Sequence, residues 1–315
     1  MQIVITDGYT LNPGDLSWKA FEELGEVVYY DRSAAGEVVL RCKKANIILT
    51  NKTPITAEVI AAATELQLVA VTATGYNVVD VTAAKNRGVM VCNVPGYGTH
   101  SVAQHAFALL LELTNRVGIN AASVHAGDWY RSPDWCYTQQ PLMELKGKTM
   151  GIIGLGKIGA RVAKIALAFG MKVLYYRGRE KVAAAREVKL HELCMQADVI
   201  SVHCPLTAEN DGFINKELLD LMKPSALLLN TSRGQLINER DLADALQQHT
   251  LAGAALDVLK LEPPLPGHPL VGLPNCIITP HTAWISREAR QRVMETTLQN
   301  VTAALKSQPQ NVVNS

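Results

Sequence analysis

The sequence lacks an excess of charge of either sign, paired cysteines and long apolar runs, and each absence narrows the class of protein. Thirty Lys and Arg against twenty-nine Asp and Glu leave a formal charge of +1, so no overall field draws the chain to nucleic acid or anionic lipid. The six cysteines include no C-x-x-C pair, which argues against a disulfide framework and a zinc site. No apolar run is long enough to cross a bilayer, and the amino terminus has no basic segment followed by an apolar one. We therefore expect a cytoplasmic protein in a reducing compartment, without a metal and without nucleic-acid or membrane partners.

The order of apolar segments predicts an α/β protein. A chain of 315 residues suits two domains better than one. Short β-branched runs, such as residues 3–5 and 68–71, alternate with helix-length amphipathic stretches through residue 99. The alternation restarts at residues 150–153, after a long apolar helix predicted over residues 101–126. Parallel neighbours need crossover connections, so the pattern predicts two doubly wound parallel-sheet domains.

The segment between the two alternating parts is aromatic and has no clear period. It covers residues 127–145 and includes Trp129, Tyr130 and Trp135. We expect a domain or subunit contact to bury it. After the last predicted strand, a charged amphipathic helix is predicted over residues 286–305.

A glycine motif follows the strand at residues 150–153 and leads directly into a helical run. It reads Gly154-Leu-Gly156-Lys157-Ile158-Gly159. The first glycine permits a tight bend, the second lets the backbone approach a pyrophosphate, and the third allows close helix packing. The helix amino terminus then offers free N–H groups to the phosphates. This strand–turn–helix context predicts a dinucleotide site rather than a chance loop.

The next strand ends at Arg177 and Arg179, where an enzyme that uses NAD usually places an acidic residue for the ribose 2′-hydroxyl. A carboxylate would repel a 2′-phosphate, whereas guanidinium groups bind one through charge-assisted hydrogen bonds. The sequence therefore favours NADP(H), with NAD(H) as the alternative. A pair of solvated surface arginines is the simpler interpretation of the same residues.

Three polar residues follow predicted strands of the second part: Arg233, Glu262 and His281. Ligands of open α/β sheets bind at the carboxyl ends of strands. Histidine can exchange a proton with a hydroxyl or carbonyl oxygen in either direction near neutral pH. A carboxylate such as Glu262 would fix its tautomer and favour its protonated form, and Arg233 would bind a substrate carboxylate through two parallel hydrogen bonds. Each residue also has a structural interpretation: a paired arginine, a solvent-facing glutamate and a buried histidine.

On these residues the chain closely resembles the D-isomer-specific 2-hydroxyacid dehydrogenase family, over essentially its whole length. The shared pattern consists of residues 154–159, 203–206, 230–234, 255–258, 262–263 and 280–281. The resemblance implies that Arg233, Glu262 and His281 are the catalytic residues, and that Arg233 and His281 also contact the substrate.

The same resemblance implies further cofactor and substrate contacts. Asp257 matches the position that binds the nicotinamide carboxamide, and the cofactor pocket would include Cys204, Pro205 and Thr231. The loop with Thr74 and Gly75 would hold the substrate carboxylate, with Lys52 opposite. A flavodoxin-like substrate domain would comprise residues 1–99 and 286–315, and a Rossmann dinucleotide-binding domain residues 100–285.

Within the family the chain looks most like glycerate dehydrogenases, also called hydroxypyruvate or glyoxylate reductases. The resemblance implies hydride transfer between a nicotinamide dinucleotide and a small D-2-hydroxy acid or its 2-keto partner, in a homodimer built through the helix from Ser101 and the aromatic segment. Two alternatives are a dinucleotide-sensing corepressor-like regulator and a related dehydrogenase of formate or phosphite. The sequence leaves the particular acid and the physiological direction open.

Overall fold

Two parallel sheets, each packed on both faces, organise the chain in the computed structural model, which describes residues 1–314. One unit comprises residues 1–98 and 284–314, and the other comprises Thr99–Ala283. The predicted bounds lie within a few residues of these, whereas the roles predicted for the two domains stay predictions.

The strands and helices follow the predicted alternation. The strands are β1 (Gln2–Ile5), β2 (Glu26–Tyr29), β3 (Ile47–Thr50), β4 (Leu68–Val71), β5 (Met90–Cys92), β6 (Thr149–Leu155), β7 (Lys172–Gly178), β8 (Ala185–Glu187), β9 (Val199–Val202), β10 (Leu227–Asn230), β11 (Gly253–Leu256) and β12 (Cys276–Ile278). The α-helices are α1 (Lys19–Glu22), α2 (Val38–Cys42), α3 (Ala57–Ala62), α4 (Val81–Asn86), α5 (Thr99–Asn115), α6 (Val117–His125), α7 (Asp128–Arg131), α8 (Lys157–Ala168), α9 (Leu190–Gln196), α10 (Lys216–Asp220), α11 (Glu239–Gln247) and α12 (Arg287–Leu305).

Strand order confirms the predicted fold class. The first sheet has the order β2-β1-β3-β4-β5, and the second has the order β12-β11-β10-β9-β6-β7-β8. All pairs of these strands are parallel. The first order is that of flavodoxin-like sheets, and the second contains the dinucleotide-binding order, in which the strand sequence reverses beside β6. Ligands of such sheets bind at the carboxyl ends of the strands near this reversal.

Apolar residues cover both faces of each sheet, which explains the continuous β-branched runs. Strands β3, β4, β9, β10 and β11 are buried at every position. Successive side chains of a strand point to opposite faces, so Leu227 and Leu229 join one apolar cluster and Leu228 joins the other. Such runs are typical of parallel sheets that helices cover on both sides.

Two local features differ from the sequence prediction. The helix predicted over residues 101–126 is two helices, α5 and α6, because Arg116 between them has a left-handed φ of 53°. The carboxylate of Glu112 accepts the amide of Gly118 at 3.1 Å, which stabilises the start of α6. Strand β8 was not predicted, because its three residues are an exposed or half-buried edge without an apolar run. None of the helices in residues 1–314 combines the length and apolar character needed to span a bilayer.

Candidate active site

The three motif glycines occupy three different environments in the turn from β6 to α8. Gly154 has a φ of +97°, and a β-carbon there would lie 2.6 Å from the backbone nitrogen of Cys204. A β-carbon on Gly159 would overlap the carbonyl oxygen of Gly154, whereas one on Gly156 would have no neighbour within 4 Å. The outer two glycines therefore allow close packing, and the space beside Gly156 is open to a ligand.

The amino terminus of α8 faces this open space. Gly156 is its N-cap residue and has no side chain to bind the first amides of the helix. The N–H groups of Lys157, Ile158 and Gly159 have no intrahelical acceptor, because they belong to the first turn of the helix. They combine free donors with the positive end of the helix dipole, which is an arrangement that binds phosphate.

Arg177 and Arg179 lie at the end of β7, beside the glycine turn. Gly178 between them pairs with Leu155 of β6, and the amide of Arg179 donates to the carbonyl oxygen of Leu155 at 3.1 Å. Both arginines are exposed, and Arg177 has a left-handed φ of 53°. The guanidinium carbon of Arg177 lies 5.2 Å from the centre of the Tyr176 ring. The two charges therefore stand next to the glycine turn.

The end of β9 borders the same turn, and the end of β10 lies beside that of β9. Cys204 and Pro205 follow β9, and burial raises the pKa of the Cys204 thiol to about 11, so it stays protonated. Thr231 follows β10, is 9% exposed, and its buried hydroxyl has no hydrogen-bond partner. Buried hydroxyls are normally paired. An open space, free helix amides and an unpaired hydroxyl at one sheet edge all fit a bound dinucleotide.

His281 and Glu262 form a direct pair, as predicted. His281 follows β12, and its Nδ1 lies 2.6 Å from Oε2 of Glu262 in the loop after β11. The other oxygen of Glu262 accepts the amide of Leu259 at 3.0 Å. Since an ionised carboxylate only accepts, the proton of the pair lies on Nδ1 and Nε2 is left to exchange a proton with another group. His281 is an outlier among non-glycine residues, with a φ of 54°.

Arg233 is anchored to the same backbone segment as Glu262. A β-carbon on Gly234, the next residue, would overlap the carbonyl group of Leu259. The side chain of Gln235 donates to the carbonyl oxygen of Lys260 at 3.2 Å. The turn that carries Arg233 therefore packs against the segment whose amide binds Glu262, and the guanidinium group is exposed, with one hydrogen bond to the carbonyl oxygen of Ser232.

Asp257 is buried behind His281 rather than open to solvent. It is 1% exposed and accepts hydrogen bonds from residues on both sides of His281, namely Thr279, Thr282 and Ala283. His105 of α5 also approaches this carboxylate, at 3.4 Å. Sequence reasoning missed His105, because no motif marks a histidine inside an apolar helix.

The predicted substrate residues of the other unit lie at the carboxyl edge of its own sheet. Lys52 follows β3, and the Asp7 carboxylate accepts its amide at 2.6 Å. Thr74 and Gly75 follow β4, where the Thr74 hydroxyl donates to the carbonyl oxygen of Val94 at 2.8 Å. Their contact with substrate stays a prediction. Among residues 1–314, no cluster of His, Cys, Asp or Glu could hold a metal ion.

Comparison with known proteins identifies the family. The model of the D-isomer specific 2-hydroxyacid dehydrogenase NAD-binding domain matches residues 107–283. A hydroxypyruvate reductase of Blautia hydrogenotrophica is 50% identical over 321 aligned residues, which cover 100% of both chains. The chain belongs to the D-isomer specific 2-hydroxyacid dehydrogenase family. It is an oxidoreductase that uses a nicotinamide dinucleotide, as the sequence predicted.

Two solved structures extend the comparison to bound cofactors. An acyclic imino acid reductase in complex with NADPH and D-Arg has a TM-score of 0.87 and 33% identity, over 99% of this chain and 100% of that one. An NADPH-dependent glyoxylate/hydroxypyruvate reductase from Sinorhizobium meliloti, in complex with NADP and malonate, has a TM-score of 0.84 and 29% identity, over 99% and 96%. The present chain is similar to both over nearly its whole length.

Proposed function

We propose that this chain reduces a small 2-oxo acid with NADPH as the hydride donor, either hydroxypyruvate to D-glycerate or glyoxylate to the achiral glycolate. The observation that carries the proposal is the 2.6 Å pair of His281 Nδ1 and Glu262 Oε2. It lies at the carboxyl ends of β11 and β12, in the sheet whose β6 leads into the glycine turn. An acid–base pair and a dinucleotide turn on one sheet match the two requirements of carbonyl reduction.

His281 acts as the general acid in this proposal. When bound, a reduced nicotinamide would supply the hydride that the carbonyl carbon requires. Nε2 of the imidazolium gives its proton to the carbonyl oxygen, which becomes the hydroxyl of the product. The Glu262 carboxylate holds the ring in one orientation through Nδ1 and stabilises its charged form before the proton leaves. In the reverse direction the neutral imidazole accepts the hydroxyl proton.

Arg233 binds the carboxylate that every 2-oxo acid carries beside its carbonyl group. A guanidinium group presents parallel N–H donors that match a carboxylate, and its charge also polarises the adjacent carbonyl. The backbone amides near Thr74 and Gly75, together with Lys52, complete the proposed substrate contacts. A small polar substrate is supported by the name of the 50% identical relative, a hydroxypyruvate reductase.

The dinucleotide would be held by the glycine turn, the α8 amides, Thr231, Cys204 and Pro205, with Asp257 beside the nicotinamide. NADP(H) is the proposed form, because Arg177 and Arg179 stand where a carboxylate would otherwise bind the 2′-hydroxyl. Two structural relatives were solved in complex with NADPH or NADP, which supports this choice.

A homodimer accounts for the exposed aromatic side chains after α6. Trp129, Tyr130 and Trp135 are 51%, 93% and 86% exposed. Burial of such a group in a subunit interface would remove a large apolar patch from water. Light scattering during gel filtration tests this assembly. All six cysteines are free thiols, in keeping with the proposed cytoplasmic location.

The proposed reaction is tested by following absorbance at 340 nm with NADPH or NADH against glyoxylate, hydroxypyruvate, pyruvate and bulkier 2-oxo acids. We expect the highest kcat/KM with NADPH and the two small polar acceptors. A parallel assay supplies pyruvate with ammonia or an amine, because one structural relative is an acyclic imino acid reductase. Turnover that requires the amine, or that survives His281→Ala, would contradict the proposal.

A further inference from the structure

The segment that carries His281 is held by a single buried carboxylate. Asp257 Oδ1 accepts the hydroxyl of Thr279 at 2.6 Å and the amide of Thr282 at 2.8 Å, and Oδ2 accepts the amide of Ala283 at 2.9 Å. The amide of His281 donates to the carbonyl oxygen of Asp257 at 2.9 Å. These contacts fix the backbone immediately before and after His281.

Such fixation is needed because the backbone of His281 is in an unfavourable conformation. Its φ of 54° lies in the left-handed region, which is unfavourable for a non-glycine residue and persists only when neighbouring groups impose it. A small change in the segment would move the imidazole away from Glu262. The position of the proposed general acid therefore depends on the hydrogen bonds to Asp257.

His105 completes this set of bonds from a different element. It lies on α5, and its Nε2 is 3.0 Å from the Thr279 hydroxyl oxygen and 3.4 Å from Asp257 Oδ1. A hydroxyl has one proton, and that of Thr279 points to Asp257 at 2.6 Å. The Thr279 oxygen therefore accepts a hydrogen bond from the N–H group at Nε2 of His105. The imidazole N–H, the hydroxyl and the carboxylate form a directed chain.

The electrostatics of Asp257 agree with this direction. Burial opposes ionisation of the carboxyl group, but the His105 N–H at 3.4 Å and the hydrogen bonds from Thr279, Ala283 and Thr282 outweigh it and lower the pKa of Asp257 below its usual range. The carboxylate thus remains charged and accepting when it is buried. Loss of one donor leaves a buried anion short of a partner, which is costly.

We propose that His105 is a positioning residue: it orients the Thr279 hydroxyl toward Asp257 and so holds the segment that presents His281 to Glu262. This inference rests on the proposed function, in which His281 is the general acid. The side chain of His105 is 23% exposed, and its neighbours Val102, Ala103 and Ala106 on α5 are apolar and buried. A leucine would suit that helix face, so the donor N–H is the property that distinguishes the histidine.

The test compares pairs of variants that differ in a donor or hydroxyl. His105→Leu removes the N–H, and His105→Gln supplies an amide N–H in its place. Thr279→Val removes the hydroxyl with little change of shape, and Thr279→Ser keeps it. We expect His105→Leu and Thr279→Val each to lower kcat by about 10-fold to 100-fold, with KM for the oxo acid changed less than about 3-fold. The Gln and Ser variants should recover most of the loss.

The double variant His105→Leu/Thr279→Val decides whether the two residues act together. The effects of substitutions within one hydrogen-bond network are not additive. The kcat of the double variant should therefore be close to that of the worse single variant. Multiplied losses, an equal loss in the Gln and Leu variants, or an effect on KM alone would overturn the proposal.

A measurement without turnover separates this proposal from the proposed function. Long-range ¹H–¹⁵N spectra of ¹⁵N-histidine protein, assigned with His281→Ala, report which ring nitrogen of His281 carries the proton. We expect the Nδ1-protonated pattern in the unmodified protein, its loss or broadening in His105→Leu, and its return in His105→Gln. An unchanged His281 signal in His105→Leu overturns the positioning role. If the His281 signal changes as expected but the unmodified protein reduces none of the 2-oxo acids, the positioning role is supported and the proposed reaction is rejected.

Discussion

The two oxygens of Glu262 have separate partners: Oε2 pairs with Nδ1 of His281 at 2.6 Å, and Oε1 accepts the amide of Leu259 at 3.0 Å. The backbone therefore orients the carboxylate before the carboxylate orients the imidazole. Because both oxygens are already hydrogen-bonded, the carboxylate loses little conformational entropy when the reaction begins. A positioned acid–base pair gains efficiency in this way.

Glu262→Gln should lower kcat by about 100-fold or more, the usual contribution of an acid–base group. The amide keeps the size of the side chain and an oxygen that can accept from Nδ1. It removes the charge that stabilises the imidazolium and the second oxygen, which accepts the amide of Leu259. Steady-state kinetics with saturating NADPH measures the effect. Affinity for NADPH, measured by fluorescence titration, should change less than about 3-fold. A variant with normal kcat would show that the charge has no part in proton transfer.

Much of this site follows from the sequence, because its parts are local patterns next to predicted strands. The glycine turn, and the positions of Arg233 and His281 after β10 and β12, require only strand assignment and the rule that ligands bind at the carboxyl ends of strands. The contact between His105 and Asp257 is different. Their proximity depends on how α5 packs on the sheet, and no periodic or local signal records it.

The break between α5 and α6 is a second feature that the sequence pattern did not predict. The apolar pattern continues across Arg116, although Asn115, Val117 and Gly118 beside it are weak helix formers. The left-handed φ of Arg116 and the Glu112 carboxylate at the Gly118 amide end one helix and begin the next. Such an interruption comes from side-chain hydrogen bonding that propensity does not include.

Gly156→Ala should weaken NADPH binding without lowering stability, whereas Gly159→Ala should lower stability. An alanine at position 156 meets no atom within 4 Å and has a φ of −88°, so the fold should be unaffected. Its methyl group would enter the space beside the α8 amides, and we expect NADPH affinity to fall about 10-fold or more.

Gly159→Ala is the matched control for that variant. Its β-carbon would overlap the carbonyl oxygen of Gly154, and overpacking of this kind costs about 1–3 kcal/mol. Chemical denaturation measures the free energy of unfolding of each variant, and fluorescence titration measures its affinity for NADPH. A stable Gly159→Ala protein, or a Gly156→Ala protein that binds NADPH normally, would contradict this account of the turn.

Thr231→Val should leave stability unchanged or raise it by up to about 1 kcal/mol, because the buried hydroxyl has no partner to lose and burial of an unpaired polar group is unfavourable. If that hydroxyl serves the dinucleotide, the same variant should bind NADPH about 5-fold to 10-fold more weakly. Thr231→Ser keeps the hydroxyl and should bind normally. Equal affinity of the Val and Ser variants would remove Thr231 from the cofactor site.

Replacement of Arg177 and Arg179 together by alanine should weaken NADPH binding by about 10-fold to 100-fold, since charge-assisted hydrogen bonds to the 2′-phosphate are lost. NADH binding should change less than about 3-fold. Arg186→Ala on β8 is a control, because Arg186 is also an exposed arginine of this sheet but pairs with Glu192 at 3.1 Å. Equal weakening of NADH and NADPH by the double variant would favour solvated surface arginines without a role in specificity.

Low pH should destabilise the protein through His203, the residue that follows β9. Part of the residue remains exposed, but burial lowers the pKa of its ring from 6.5 to about 4, and Ser201 Oγ lies 2.8 Å from its Nε2. Between pH 6.5 and about pH 4, the ring of His203 therefore binds a proton in the unfolded chain but not in the folded protein. The free energy of unfolding should fall by about 1.4 kcal/mol for each pH unit below 6.5, and this loss should level off near pH 4. Urea denaturation at pH 7, 6 and 5 measures the slope, and His203→Asn should remove this part of it while leaving contributions from other groups. A variant with the same pH slope as the unmodified protein would mean that His203 titrates normally in the folded state.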